Sequence, residues 1–381
     1  MRIRPEKSPR ARARRSLVLG AGLERLERRT VLSSGTYTGA LLVGLGSASE
    51  AAVAAQAKRL GATLAETQVP GVVQAFGSYQ TLNRFQQRVQ AIPGIGYAEP
   101  RQTYSISATP NDPQFVDGTQ WALNGPNGID APTAWNTSTG STKTVVAVID
   151  SGVDYNHVDL YQNIWINQGE IPTSRKANLV DEDGDGLITF YDLNYTAADG
   201  SKPNQGIGKI TDQNGDGVIT AADLLAPMSR ADGVDDGAGG WADGIDNDGP
   251  VGGVSYVDDI VGWNFVNNTN RPMDDNGHGT HVAGVIGASG NDGEGVTGVD
   301  WQVQIMPLKI LDAFGEGDDA RAAAAVRYSA AMGARVSNNS YGDATPVIIL
   351  LDDAIAAAAA AGSVFIAAAG NDGANVDATP Y

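Results

Sequence analysis

The chain contains no cysteine, so no disulfide contributes to its stability, and cysteine usage leaves its redox compartment open. Histidine is almost as scarce, with only His157, His278 and His281 in 381 residues. No run approaches the ~18 consecutive apolar residues of a membrane-spanning helix, so no membrane span is expected. Basic residues are rare beyond the first thirty positions. Met1–Thr30 holds ten Lys/Arg against three Asp/Glu, and the rest holds 16 against 41, within a net charge of −18. An acidic body of this kind repels a phosphate backbone, which argues against nucleic acid as a partner and, with its clustered aspartates, for calcium. The length allows two or three domains with ample core.

What is present is pattern. Asp274–Ala288 reads DDNGHGTHVAGVIGA, with two histidines three apart at the start of an apolar run. Thr280 is a candidate N-cap, and Val282, Ala283, Val285 and Ile286 supply the expected buried face of a helix. His278, between Gly277 and Gly279, is then a candidate reactive imidazole at a helix start. Thr144–Ile149 (TVVAVI) is a continuous β-branched run, as in a strand buried on both faces, and it ends in Asp150-Ser151-Gly152. A carboxylate at the C-terminal end of a parallel strand lies where open α/β sheets place their sites.

DSGVDYNHVDL (Asp150–Leu160) and NGHGTHVAG (Asn276–Gly284) resemble the Asp and His motifs of the subtilisin-like serine proteases. FIAAAGNDG (Phe365–Gly373) resembles the strand leading to that family's oxyanion-hole asparagine, and NNSYG (Asn338–Gly342) its substrate-lining strand. The four stretches stand in the family's order. The resemblance implies an α/β fold with a doubly wound parallel sheet, and protein or peptide substrates. It makes His278 the general base, Asp150 its orienting partner and Asn371 the oxyanion donor. Ser340, Tyr341 and Gly342 would pair with extended substrate. A serine hydroxyl is a poor nucleophile without such a base. The family's GTSMA-type motif is nowhere in the chain. The expectation is a catalytic domain (109–381) incomplete before its nucleophilic serine, and inactive as it stands. His157 and His281 are read as structural.

In chain order, Met1–Arg15 is Arg-rich and Ser16–Leu23 short and apolar. With the leader-like LERLERRTVLS (Leu23–Ser33), residues 1–34 read as an export segment, hence a secreted or extracytoplasmic protein. Residues 35–108 read βαββαβ, a small α+β ferredoxin-like sandwich: strand Tyr37–Gly44, helix Ser49–Leu60, two strands within Thr63–Phe76, helix Thr81–Ala91 and strand Ile95–Ala98. The unit resembles the family's inhibitory propeptide, making it the enzyme's own intramolecular inhibitor. Its tail, within Tyr97–Ala108, is expected in the cleft. Thr109–Leu123 (TPNDPQFVDGTQWAL) resembles the mature start and reads as an extended linker. The resemblance assigns Gln120, Asp159 and Asn291 to a shared calcium site.

Between Asp150 and His278 lie 128 positions, more than one crossover requires. The surplus, about 167–258, is an insertion. It carries DEDGDGLITFYD (Asp181–Asp192) and DQNGDGVITAAD (Asp212–Asp223). Each sets oxygen ligands at loop positions 1, 3 and 5: Asp181, Asp183 and Asp185, then Asp212, Asn214 and Asp216. Gly follows at position 6, and Asp192 or Asp223 stands at position 12, as in EF-hand and dockerin-like calcium loops. Asp243–Gly249 (DGIDNDG) is a third acidic stretch whose register breaks. Two further readings compete with the protease: a dockerin-like calcium-binding interaction module on an inert scaffold, and a catalytically dead regulator. Beyond the insertion, strands and helices alternate: strand Gln304–Leu311, helix Asp318–Met332, strand Val336–Asn339, helix Pro346–Ala361 and strand Val364–Ala368.

Overall fold

A computed structural model describes residues 40–101, 108–230, 233–342, 349–371 and 373. The chain divides into two compact units, Met1–Tyr104 and Ser105–Tyr381. The leader, residues 37–39 of the first expected strand, and residues 102–107 of the expected cleft-binding tail lie outside the described residues.

In the first unit, β1 (Ala40–Gly44), β2 (Thr63–Glu66), β3 (Val72–Phe76) and β4 (Tyr97–Pro100) form an antiparallel sheet in the order β2-β3-β1-β4. Helices α1 (Glu50–Leu60) and α2 (Tyr79–Gln90) cover it. Alternation sends Leu41 and Val43 to the core, where they meet Val53, Ala57, Leu82, Phe85 and Val89. The Ser49 hydroxyl accepts from the Ala52 N–H at 3.3 Å, as a cap should. Helix α2 starts two residues before its sequence-based position because Ser78, not a later residue, caps it. Strand β4 starts two residues late, since Gly94 and Gly96 are spent on backbone bonds to Ser47 and Gly44.

In the second unit, five parallel strands run in the order β6-β7-β5-β8-β9. They are β5 (Gly140–Asp150), β6 (Trp263–Asn264), β7 (Gln302–Lys309), β8 (Val336–Asn339) and β9 (Val364–Ala367). Strand β5 is central, and its two faces feed two cores. Val146 and Val148 pack with Ala283, Val303 and Ile305 on the side of α3 (His278–Gly287). Ala147 and Ile149 pack with Met306, Leu308, Val326 and Ala354 on the side of α4 (Asp319–Ala331) and α5 (Ile349–Ala360). Helices on both faces make the sheet doubly wound. The two-residue strand β6 gives too short a pattern to be read from sequence.

Three local expectations are corrected. Thr280 is not the N-cap of α3; Gly277 is, at φ 100°, and Thr280 lies inside the first turn. Val285 does not belong to the buried face: it is 55% exposed, and Ala283 carries the contact. Thr109–Leu123 is not extended throughout, because Pro113–Val116 and Trp121–Asn124 each form a helical turn. Proline at the first helical position pre-sets the dihedral that starts the earlier turn.

Among the described residues the insertion has no core of its own. Ile171, Ile188, Phe190, Leu193, Ile219, Leu224 and Trp241 are buried in one cluster with Val146 and Val148 of β5. Trp241 is fully buried, and its indole N–H donates to the Lys209 carbonyl at 3.0 Å. The two ends of the insertion meet, with the Asn167 N–H donating to the Ile260 carbonyl at 2.8 Å.

Candidate active site

Asp150 is the last residue of β5 and fully buried; His278 is the first residue of α3. They lie 128 positions apart in sequence and 2.7 Å apart in space, Nδ1 to Oδ1. Asp150 Oδ1 also accepts from the Ser151 N–H at 2.7 Å. An ionised carboxylate only accepts, so Nδ1 carries the proton in this contact and Nε2 is left as the basic nitrogen. The His278 side chain is 50% exposed and that of Asp150 is 0% exposed, so the pair has a buried orienting half and an open reactive half.

Backbone permissiveness brings them together. A side chain at Gly279 would collide with the Gly152 carbonyl and crowd the Asp150 side chain. Gly152 sits at φ 100°, against the Pro272 carbonyl. Asp274 holds the start of α3. Its Oδ1 accepts from the N–H groups of Asn276 and Gly277 at 3.0 and 2.9 Å and from the Ser151 hydroxyl at 2.9 Å. Its Oδ2 accepts from the Thr280 N–H at 2.9 Å and hydroxyl at 2.6 Å. These bonds outweigh burial, so the Asp274 carboxyl lies below the usual carboxylate range. Beneath the pair, buried Lys309 donates to the Ser151 and Leu311 carbonyls at 2.6 and 2.8 Å and pairs with Asp275 at 2.6 Å. Sequence reading saw Lys309 only as part of a strand. A lysine inside an otherwise apolar strand is the signal that marks it, because such a cation is retained only where acceptors surround it.

Ser340, Tyr341 and Gly342 follow directly from β8, the strand paired with β5. The Ser340 hydroxyl accepts from the Asn338 amide at 2.8 Å, and the Tyr341 hydroxyl donates to Asn339 Oδ1 at 2.9 Å. Burial, then the Asp150 charge, push the Tyr341 phenol up, so it remains a donor. Asn371 is exposed, four residues beyond the end of β9. His157 and His281 are exposed, and His157 Nδ1 accepts from the Asp159 N–H at 3.2 Å.

The acidic groups fall into distinct settings. Gln120 spends both amide atoms on Thr297, accepting from its N–H at 3.0 Å and donating to its carbonyl at 2.8 Å. Asn291 sits at φ 65°, and its N–H donates to Asp112 Oδ2 at 2.7 Å. Asp159 Oδ2 accepts from the Val296 N–H at 3.1 Å. Asp112 Oδ1 and Asp159 Oδ1 are both buried without a partner, an arrangement that suits a cation on the 291–297 loop. Burial pushes the Asp112 carboxyl up. Sequence reading passed over Asp112 as linker; only its place in NDPQF, a carboxylate before a helical turn it does not cap, hints at it.

In the first insertion loop, Asp181, Asp183 and Asp185 bring carboxylate oxygens within 4.8 Å of one another. Asp181 Oδ1 accepts from Gly184 N–H at 2.7 Å and its Oδ2 from Gly186 N–H at 2.8 Å; the latter bond leads in holding this carboxyl below the usual range. Asp192 stands outside that cluster. It is buried, accepting from Glu182 N–H at 2.8 Å and, in a capping box, from Thr189 N–H at 2.8 Å. The second loop repeats the arrangement. Asp212 accepts from Gly215 and Gly217 N–H at 2.6 and 2.7 Å, and Asp223 from Gln213 and Thr220 N–H, both at 2.8 Å. The Asn214 amide donates to Asp216 at 2.8 Å. The glycines at loop position 4 (Gly184, Gly215) and position 6 (Gly186, Gly217) all have φ between 73° and 92°, which only glycine adopts at little cost.

Comparison with known proteins agrees with this geometry. Residues 141–381 match the Subtilase family. The cell wall-associated protease of Bacillus subtilis (strain 168) is 50% identical over 121 residues, 32% of this chain and 13% of its own. The thermophilic serine proteinase of Bacillus sp. (strain AK1) is 27% identical over 288 residues, 76% of this chain and 47% of its own. Thermitase of Thermoactinomyces vulgaris is 39% identical over 114 residues, 30% and 40% respectively. The chain thus spans less than half the length of each of these relatives. No helix among the described residues is long and apolar enough to cross a membrane. A matched domain covering well over half the chain, with its Asp and His in direct contact, makes this chain a member of the subtilase family.

Proposed function

We propose that this chain carries the acid–base half of a secreted serine endopeptidase, made as a zymogen and dependent on calcium. The single observation behind the reading is the 2.7 Å contact between His278 Nδ1 and Asp150 Oδ1. Asp150 fixes the imidazole tautomer and stabilises the imidazolium, while Nε2 takes the proton of a serine hydroxyl and returns it to the leaving amine. That serine belongs to a GTSMA-type motif which the family's order puts after Asn371 and which is not among the 381 residues. Asn371 donates its amide to the developing oxyanion, and Ser340 to Gly342 pair with the substrate backbone as an added strand. The test is a chain continued through such a motif and offered an unstructured protein substrate. Hydrolysis blocked by a serine-directed phosphonate is expected. An extended chain that folds yet leaves the substrate whole, with Asp150 and His278 intact, would remove the basis of the proposal.

The first unit, with its βαββαβ order, acts in this reading as the inhibitory propeptide. Amino-terminal sequencing of mature enzyme from the extended chain should begin between Ser105 and Asp112; a mature start before Tyr37 would contradict a propeptide role.

Calcium enters through three groups of residues. Asp112 and Asp159 would hold one ion, Asp181 to Asp192 a second, and Asp212 to Asp223 a third. All donors are oxygens, the preference of this hard cation, and calcium supplies only positive charge that holds loops together. Binding to the folded chain alone should stabilise it by about 2.7 kcal/mol at a hundredfold excess over the dissociation constant. Thermal unfolding in calcium and in chelator should therefore differ, and the difference should shrink in the double variant Asp181→Ala, Asp212→Ala. Identical calcium-dependent shifts in parent and variant would show the two loops to be acidic turns and no more.

A further inference from the structure

We propose that Asn194 couples the two calcium loops of the insertion, so that an ion in Asp181–Asp192 raises the affinity of Asp212–Asp223, and the reverse. Asn194 stands two residues beyond Asp192, at the end of the short helix Phe190–Asn194 that leaves the first loop. Its side chain reaches the second loop, 25 positions on. The inference rests on the reading of both stretches as calcium loops.

The second loop is held at its position 8. There Asn194 Oδ1 accepts from the Ile219 N–H at 2.7 Å, and the Asn194 amide donates to the Ile219 carbonyl at 2.8 Å. A carboxamide carries a donor and an acceptor side by side, so it meets both backbone groups of one residue as a neighbouring strand would. The same amide donates to the Phe190 carbonyl at 2.9 Å, which keeps the side chain on its own helix. The consequence falls on position 7, whose carbonyl is a calcium ligand in loops of this type. The Val218–Ile219 peptide is trans, and in a trans peptide the carbonyl points away from the next N–H. Fixing the Ile219 N–H therefore fixes the direction of the Val218 carbonyl.

The first loop is held in the same way but from elsewhere. Gln168 Oε1 accepts from the Ile188 N–H at 3.0 Å, and the Gln168 amide donates to the Ile188 carbonyl at 2.9 Å. Gln168 belongs to the frame of the second unit. It follows Trp165, whose N–H donates to the Ile305 carbonyl of β7, and Asn167, bonded to Ile260. Thr142 of β5 also donates to Asp185 Oδ2, at 2.5 Å. Among the described residues no bridge joins Ile188 to Ile219, so the loops do not brace each other directly there. The first loop is set against the sheet, and the second against the helix that leaves the first.

Order passes along this series. Asp192 closes the first loop by accepting from the N–H groups of Glu182 and Thr189, and buried Asn204 donates to the Asp192 and Val180 carbonyls at 2.9 and 2.7 Å. An ion drawing Asp181, Asp183 and Asp185 together orders the segment that ends in Phe190–Asn194, and with it the amide that meets Ile219. Ile219 is 0% exposed, so losing that amide would leave two buried backbone groups without a partner. Filling the second loop orders Asn194 in return, because coupling between two binding equilibria is reciprocal. A coupled pair fills over a narrower range of calcium concentration than two independent loops, and the insertion then orders as one unit.

The experiment titrates calcium into the whole chain, stripped by chelator, and follows each loop by the NMR resonance of its position-6 amide. Gly186 and Gly217 donate to Asp181 and Asp212, so each reports its own loop. Asp181→Ala, which empties the first loop, should raise the Kd of the second about tenfold, within the usual range of coupling between sites. Asp212→Ala should raise the Kd of the first by the same factor. In Asn194→Leu, which keeps the volume and removes the amide, adding Asp181→Ala should change the second loop by less than about twofold. Gln168→Leu should weaken the first loop and leave the coupling factor as it is. If Asn194→Leu does not fold, Asn194→Ser, too short to meet both groups of Ile219, takes its place. Loops that titrate independently in the parent chain would overturn the coupling, and an effect of the same size without the Asn194 amide would overturn its route. Two glycine amides that never move with calcium would instead remove the loops as sites, and the coupling with them.

Discussion

In a chain continued through its serine motif, His278→Ala should lower kcat by at least about 10⁴-fold while leaving KM nearly unchanged, since the imidazole acts on the proton in the transition state rather than on substrate binding. This corresponds to about 5 kcal/mol of lost transition-state stabilisation. Asp150→Asn should cost a similar factor for a different reason. The amide can donate to Nδ1, which stabilises the tautomer with its proton on Nε2 and removes the base. Steady-state kinetics with circular dichroism as the folding control checks both. A His278→Ala enzyme keeping a tenth of parental kcat would refute the assignment. The same geometry should make Gly279→Ala damaging: a methyl group there meets the Gly152 carbonyl and the Asp150 side chain and would force the pair apart.

The second large effect is on stability. Trp241→Ala should destabilise the whole second unit by about 3 to 5 kcal/mol, the range for removing a large buried aromatic. Trp241 lies in the insertion, but it is 0% exposed and shares one core with Val146, Val148 and Ala283 of β5 and α3. Denaturant unfolding followed by probes in the insertion and in α4 should shift together. Separate transitions, with only the insertion probe moving, would mean that the insertion is a domain of its own.

Legibility in the sequence followed the strength of the pattern. TVVAVI was plain because a strand buried on both faces shows as a continuous apolar run, and QIMPLKIL stayed legible although Gln304 and Lys309 interrupt it. Asp150 and His278 were plain because each stands at the end of such a run beside glycines. The insertion loops were plain because position, residue type and glycine recur twice. Helix α3 was read with the wrong cap. Thr280 is the usual type for that role, but here an aspartate four residues before the helix accepts from the first turn, leaving glycine at the cap itself. Val285 was assigned to the core because apolar character alone does not say which side of a glycine-rich helix is covered. Asp112 and Lys309 had only faint local signatures, a turn left uncapped and a lysine in an apolar strand: what distinguishes them is burial beside partners more than a hundred residues away, or an oxygen left alone, and neither is encoded within a window.

The clasp at the neck of the insertion bears on how Asp150 and His278 are brought together at all. Bringing Asp150 to His278 means closing a loop of 128 positions, and the entropy of closing a flexible loop falls by about 0.6 kcal/mol for each halving of its length. Once Asn167 is bonded to Ile260, most of that loop is a closed side branch, and the path from strand to helix runs only through the short segments on either side of the clasp. The insertion then works as a cross-link does. It shortens the effective tether between Asp150 and His278 without any covalent bond, in a chain that has no cysteine with which to make one.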